Sequence, residues 1–288
     1  MRVVVIADIH GNLAALEAAL EEIARLQPDR LVVAGDVVDG GPDSAACWER
    51  VRGLGCPVLR GNHERYVFDF GTERAAPEWA KPQFGPLHFA RAELSAQQMR
   101  EMAALPTVWR DPEAPGLVVV HASERGDHDS VFHYTPDERV EAMFPTMREG
   151  LIVRGHNHQC MLREWRHGRI VTTGAAGLPQ DGNPAAQFVV LERLRDGGAT
   201  AGGTGGGGGG EGGWRVRHRA VRYEVEATLR RFRETGYLEK TGPLGRLFYR
   251  EVATATYQVV PFLRFWDVVS KANPGLSLEA AVGAFLRG

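Results

Sequence analysis

The sequence predicts an α/β fold on a largely parallel sheet, and two patterns carry that prediction. Short apolar runs rich in β-branched residues, the composition of strands buried on both faces, recur along the first two thirds of the chain. Stretches of helical periodicity separate the early ones, giving strand, helix, strand, helix, strand.

The first run, Val3 to Ala7, ends in Asp8-Ile9-His10-Gly11-Asn12. In extended chain, residues two apart point the same way, so Asp8 and His10 can converge on one point. An isolated Asp-x-His is more often a turn followed by an exposed histidine, so the rest of the chain has to decide. Leu13, Leu16, Leu20, Ile23 and Leu26 then recur at helical spacing, with Asn12 as N-cap and Pro28 beyond the end. A second strand, Leu31 to Ala34, closes in Gly35-Asp36, and a short helix spans Ser44 to Arg52. A third run, Pro57 to Arg60, leads into Gly61-Asn62-His63-Glu64.

From about Tyr66 to Trp109 prolines interrupt aromatic residues, which predicts a helical insertion above the sheet edge. Strands resume with Leu117 to Val120, followed at once by His121, and with Leu151 to Arg154, followed by Gly155-His156-Asn157-His158. Ile170 to Thr172 and Gln187 to Glu192 read as an antiparallel continuation. The run Gly197 to Gly213 is almost pure glycine and cannot bury enough surface to offset its ordering entropy. It lacks the Lys-Ser/Thr of a phosphate-binding loop and is expected to be a flexible insertion between paired strands, with Trp214 to Arg217 returning. Helices are expected from about Glu224 to Glu234, Pro261 to Ala272 and Ser277 to Leu286. The stripe Phe262, Phe265, Trp266 and Val269 is expected to pack against the core.

Bulk properties narrow the function. The 288 residues suffice for a sizeable core, and 43% hydrophobic and 24% charged residues are ordinary for a globular protein. A net charge of −2 gives no general attraction to nucleic acid or anionic membrane. Arg230, Arg231 and Arg233 form only a local basic patch, so a nuclease is disfavoured. Cys47, Cys56 and Cys160 share no metal-like spacing and fit reduced thiols. The early core strand leaves no room for a signal peptide, and no apolar run approaches the roughly 20 residues of a membrane span. A cytoplasmic protein is expected.

Five apolar runs thus deliver Asp8 and His10, Asp36, Asn62, His121, and His156 with His158, and ligand sites in open α/β sheets lie beyond the carboxyl ends of strands. Half of the ten histidines fall in these few stretches; His88, His128, His133, His167 and His218 match no motif. In this order, Asp8-Ile9-His10, Gly35-Asp36-Val37-Val38-Asp39, Gly61-Asn62-His63-Glu64, His121 and Gly155-His156-Asn157-His158 resemble the calcineurin-like metallophosphoesterase superfamily, in particular its small bacterial phosphodiesterase and phosphatase branch. The resemblance extends from Met1 to about Leu191.

It implies a four-layer α/β sandwich with two central mixed β-sheets flanked by helices. The chain then divides into a metallophosphoesterase domain over 1–222, with insertions at about 66–109 and 197–213, and a helical C-terminal extension over 223–288 packed on the core. It implies a two-metal centre: Asp8, His10, Asp36 and His158 for one ion, and Asp36, Asn62, His121 and His156 for the other, with Asp36 bridging. Mixed oxygen and nitrogen ligation without thiolate suits Mn²⁺ best, with Fe or Zn²⁺ as alternatives. By the same resemblance His63 assists the leaving group and Asp39 orients it.

Departures from the pattern bear on the substrate. Gly40 stands where protein phosphatases carry an arginine that grips phosphate, and those enzymes lack the second histidine of Gly155-His156-Asn157-His158. Both points favour a phosphodiester, although Gly-Asn-His-Glu is the phosphatase spelling. Ala122 replaces the usual glycine after His121, which predicts a slightly altered backbone. The substrate is expected to be a small phosphate ester, with a nucleotide one candidate. The alternatives are phosphomonoester, phosphoprotein or nucleotide-polyphosphate hydrolysis, and, outside catalysis, a scaffold of the same fold. The metal identity, self-association of the chain and the role of its C-terminal helices stay open at this level.

Overall fold

The computed structural model of the chain describes residues 1–147, 150–194 and 213–287. Apart from Gly213, the expected glycine-rich insertion lies outside the described residues. Among the described residues nine strands form two sheets. They are β1 (Arg2–Ile6), β2 (Arg30–Val33), β3 (Val108–Arg110), β4 (Leu117–Val120), β5 (Gly150–Arg154), β6 (Cys160–Trp165), β7 (Gly168–Thr173), β8 (Ala186–Arg193) and β9 (Trp214–Val221). One sheet has the order β2-β1-β8-β9 and the other β3-β4-β5-β7-β6. β1–β2, β4–β5 and β5–β7 are parallel, and the remaining pairs are antiparallel. The sheets are therefore mixed, as the resemblance implies, and not largely parallel, as the periodicity alone suggests.

The two-residue alternation of the strands explains the layers. Val3, Val5 and Ala7 of the first strand segment meet Val119, Val153, Val171, Val189 and Leu191 in a core between the sheets. Val4 and Ile6 point the other way, onto α1 (Leu13–Leu26) and α2 (Ser44–Arg52), through Leu16, Leu20, Ile23, Cys47 and Trp48. On the far face of the second sheet, Val118, Val120, Ile152 and Ile170 meet Val140 and Met143 of the helix over 137–143. Helices, sheet, sheet and helix make four layers, and runs buried on both faces are what the two central β1 and β5 strands need.

α3 (Asn62–Asp69) leads into the insertion, which contains two short 3₁₀ turns, α4 (Gly85–Glu93) and α5 (Ala96–Ala103). The insertion ends in β3, an edge strand the sequence reading places inside the helical stretch. Pro57 to Arg60 is not a full strand: it makes a single bridge, Val33↔Val58, with Val33 N–H donating to Pro57 O at 3.0 Å. Proline has no N–H to give and the run is short, so pairing stops there. The segment still delivers Asn62 to the N-terminus of α3.

The helix over 137–143 is α6 (Asp137–Met143), and beyond β9 the elements of the described residues are all helices. They are α7 (Val225–Glu234), α8 (Tyr237–Lys240), α9 (Pro243–Thr254), α10 (Val259–Ala272) and α11 (Leu278–Phe285). Of these, α8 and α9 carry no sequence signal noticed above. The Phe262 stripe packs on its own neighbours, with Phe262 fully buried among Leu244 and Leu247 of α9 and Ala281 and Val282 of α11. The expected packing against the central core is thus replaced by a separate C-terminal cluster. These helices reach the strand-end loops through Thr228 Oγ1, which donates to Asn12 Oδ1 at 2.7 Å, and Tyr237 OH, which donates to Gly40 O at 2.8 Å. Arg231 pairs with Asp43 at 2.7 Å. Among the described residues no helix is long and apolar enough to cross a membrane.

Candidate metal centre

The loops that follow β1, β2, β4 and β5, with the start of α3, converge beyond the carboxyl ends of the strands. Eight non-glycine residues have positive φ among the described residues, and six are predicted site residues: Asp8, His10, Asp36, Asp39, His156 and His158. This left-handed region costs most side chains strain, and Asp and His tolerate it better than branched residues do. Such strain persists only where the surroundings over-determine it. Here the surroundings are backbone: Asp8 N–H donates to Gly35 O at 3.1 Å and His10 N–H to Asp36 O at 2.9 Å, tying the first two loops together. Gly61 must be glycine for space, since a Cβ there would lie 2.1 Å from Asp36 Oδ1.

Two groups of ligand atoms result, one from Asp8, His10, Asp36 and His158 and one from Asp36, His121 and His156, each with its atoms within 4.8 Å. Asp36 belongs to both. Asn62 Oδ1 joins the second group, 3.0 Å from His121 Nε2 and 2.9 Å from His156 Nδ1. All seven residues meet as the spacing of the motifs predicts.

The donor chemistry fits a cation. His10 Nδ1 faces Asp39 O at 2.8 Å and His158 Nδ1 faces Leu178 O at 2.7 Å. A carbonyl accepts only, so both Nδ1 atoms carry the proton, and both Nε2 atoms present lone pairs. Those two lone pairs face each other at 3.1 Å. His121 Nδ1 also donates to Ala34 O at 2.8 Å, which turns its Nε2 toward Asp36 Oδ2 at 3.2 Å and the Asn62 oxygen, a place for a proton or a cation. The His10 and His158 lone pairs repel one another, and a shared cation reverses that sign.

Electrostatics follow from burial and from Asp36. Burial pushes His10 and His156 well below the usual histidine range and His158 down to about 4, so these rings are neutral near pH 7. Burial also pushes the Asp8 carboxyl up to about 7. For Asp36 burial acts upward too, but the His121 and His63 charges and the His121 hydrogen bond outweigh it and hold the carboxyl well below its usual range. Burial lowers His121 and His63, yet the Asp36 charge in both cases, with its hydrogen bond to His121 and that of Asp39 to His63, raises each to about 9. His63 Nδ1 lies 2.9 Å from Asp39 Oδ2, and the His63 ring stands edge-on to His10 with centroids 4.6 Å apart.

Several supporting residues escape a motif-based reading. Glu64 is fully buried and accepts the backbone N–H groups of Asp36 (2.9 Å), Val37 (2.7 Å) and Gly61 (2.8 Å), locking two ligand loops together. Its place three residues after Gly61, at the start of a helix, is the signal that could have marked it. Arg154, also fully buried, donates to Ala122 O at 2.7 Å, to Asp129 O and to Asn157 Oδ1, bracing the His121 and His156–His158 loops. A charge closing an otherwise apolar run is its signal. Ala122 is not among the residues with left-handed φ, the conformation that alanine tolerates poorly.

The ligand groups open into a cleft of about 770 Å³. His10, Asp36, Asn62, His63, His156 and His158 line its floor. One wall comes from Phe248, Glu251, Tyr257 and Arg264 of the C-terminal helices and the α9–α10 connection, and another from Ser130, Phe132 and Tyr134. The C-terminal extension therefore shapes the site.

Comparison with known proteins agrees with this geometry. A metallophosphoesterase structure from Sphaerobacter thermophilus superposes with a TM-score of 0.65 at 22% identity, covering 89% of this chain and 100% of that one. An uncharacterised protein of Methanocaldococcus jannaschii is 24% identical over 205 residues, 66% of this chain and 82% of that protein. A serine/threonine-protein phosphatase of Salmonella typhimurium is 38% identical over 77 residues, 26% of this chain and 35% of that protein. The profile of the calcineurin-like phosphoesterases matches residues 1–160, the stretch that supplies every one of the converging loops, and the chain belongs to that family.

Proposed function

We propose that the chain hydrolyses a phosphodiester, with two divalent cations, Mn²⁺ before Fe or Zn²⁺, as cofactors, in the cytoplasm. Asp8, His10, Asp36 and His158 would hold one ion, and Asp36, Asn62, His121 and His156 the other. When bound, the pair supplies Lewis-acid polarisation of phosphoryl oxygens and acidifies water for attack on phosphorus. The observation that carries the reading is the pair of ligand groups sharing one carboxylate, Asp36, directly beside an imidazole outside both groups, His63.

His63 is held for proton transfer. Its backbone N–H donates to Asp36 Oδ1 at 2.9 Å, which fixes the ring at the cleft floor, and Asp39 holds its Nδ1 proton. The opposite ring nitrogen is then the one to give a proton to the departing alkoxide, and the Asp39 carboxylate keeps the ring charged. The neutral rings of His10, His156 and His158 keep lone pairs free for ligation without a proton to displace. His121, raised to about 9, exchanges its proton for a cation.

A diester is favoured over a monoester by charge. Among the described residues Arg264 is the only arginine or lysine lining the cleft, so little there besides the histidines offsets the second charge of a monoester dianion. The phosphatase relationship over 77 residues supports monoester hydrolysis as a second reading. Turnover of bis(p-nitrophenyl) phosphate and p-nitrophenyl phosphate with Mn²⁺ separates the two. The diester is expected to be preferred, and Asp36→Asn and His63→Ala are each expected to lower kcat/KM at least about 100-fold. Hydrolysis of neither ester, or variants as active as the parent, overturns the proposal.

A further inference from the structure

The cleft is larger than a phosphoryl group needs, and the walls beyond the ligand groups have a distinct chemistry. About 770 Å³ lies within the range of pockets that enclose a whole small molecule. At the mouth, the Phe132 and Tyr134 rings lie parallel, 6° apart in plane with centroids 5.3 Å apart, and Tyr134 is 81% exposed. A large aromatic ring supported on one side and open to solvent is a stacking platform for a planar group. Glu251 lines the same cleft; it is fully buried, which pushes its carboxyl up to about 7. Its Oε1 accepts the N–H groups of Gln258 (2.7 Å) and Val259 (2.9 Å) and the Gln180 amide (3.3 Å), which fixes the carboxyl. Its Oε2 is buried and has no hydrogen-bond partner among the described residues. A carboxylate oxygen left without a donor is costly, and a ligand hydroxyl would satisfy it.

We propose that α9, α10 and the Phe132–Tyr134 segment form a nucleoside subsite. Its base stacks on Tyr134 and its ribose hydroxyls donate to Glu251 Oε2, and the substrate is thus a nucleoside phosphodiester. In this arrangement the phosphate lies at His63 and the metal-ligand groups, the sugar beside Glu251 and the base on the exposed Tyr134 ring, all of which line one cleft. Arg264, exposed and without an ion-pair partner among the described residues, stands on the same wall beside Tyr257 and faces any further phosphate. Tyr257 OH donates to Asn157 O at 3.2 Å, so this wall is fastened to the His156–His158 loop. The subsite rests on the phosphodiesterase reading for its reaction, but its binding is separable from turnover.

Two measurements test it. In the first, calorimetry on the full chain with Mn²⁺ compares adenosine 5′-monophosphate, its 2′,3′-dideoxy analogue and ribose 5-phosphate. Adenosine 5′-monophosphate should bind about tenfold more tightly than either, Tyr134→Ala should remove the advantage over ribose 5-phosphate, and Glu251→Gln the advantage over the dideoxy analogue. Equal affinities for the three ligands, or variants that weaken all three alike, overturn the subsite. In the second, turnover of adenosine 5′-(p-nitrophenyl) phosphate is compared with that of methyl p-nitrophenyl phosphate. A nucleoside preference residing in KM and lost in Tyr134→Ala supports the subsite, and equal kcat/KM values sink it. Tight nucleotide binding with no turnover of either ester would instead fault the hydrolase reading and leave the subsite standing.

Discussion

Replacing Asp39 by asparagine removes one of the carboxylate charges that raise His63, leaving that of Asp36 in place. Asp39 is 4% exposed, has a φ of 64° that asparagine tolerates, and places Oδ2 2.9 Å from His63 Nδ1. A hydrogen bond to a charged partner contributes about 1.5–3 kcal/mol net, and about 1.4 kcal/mol is one pKa unit, so the variant imidazolium should titrate about 1–2 units lower. In the parent the ring is raised to about 9. A raised group keeps its proton until the pH passes its folded value, so activity that needs the proton is present below that point and lost above it. The alkaline limb of the pH profile should therefore move down by about 1–2 units in Asp39→Asn. Bound cations lower both profiles together, which makes the difference between the enzymes the quantity to read. Measured on aryl methyl phosphodiesters with Mn²⁺, kcat should fall about 10- to 100-fold at alkaline pH and less than about threefold near pH 6, with the larger loss for the poorer leaving group. A loss of the same size at every pH and for every leaving group would refute the assignment of His63 as proton donor.

Three further outcomes follow from the same geometry. In protein stripped with a chelator, the stability lent by His63 and His121 is full below their ordinary value of 6.5 and lost as pH rises through about 9, so Tm should fall between those values. Mn²⁺ should then raise Tm more at pH 8.5 than at pH 6.5, and a pH-independent increment in a thermal scan would contradict the site. Gly61→Ala places a methyl 2.1 Å from Asp36 Oδ1; it should cost about 1–3 kcal/mol by denaturant titration and reduce metal content measured by mass spectrometry. Phe262→Ala empties a fully buried site between α9, α10 and α11 and should cost about 3–5 kcal/mol, read as a lower Tm with Mn²⁺ stoichiometry unchanged.

The candidate ligand set is legible in the sequence because the fold repeats one device. A strand buried on both faces has to read as an unbroken apolar run, and whatever follows it stands at the carboxyl edge of a sheet. Asp8, Asp36, His121 and His156 are each the first or second residue past such a run, so locating the runs also locates the ligands. Where the device weakens, legibility drops: Pro57 to Arg60 looks like another strand and makes one bridge. The Phe262 stripe shows the limit of periodicity, which reveals that a helix face is buried but not against what. α9 carries Glu251, whose Oε2 is buried without a hydrogen-bond partner among the described residues, and nothing in a string of letters distinguishes that carboxyl from a solvated one.

Backbone strain is the other hidden quantity. Six predicted site residues hold left-handed φ, and only the neighbouring glycines Gly11, Gly35 and Gly40 hint at so irregular a chain. Such a conformation could not persist on ligand side chains alone, since those repel one another when their lone pairs converge. It is held by groups with no direct part in ligation: Glu64 gathering the N–H groups of Asp36, Val37 and Gly61, and Arg154 gathering the acceptors beside His121 and His158. The protein thus carries the repulsion and the strain in its fold, so that a cation entering the site releases the first without having to create the second.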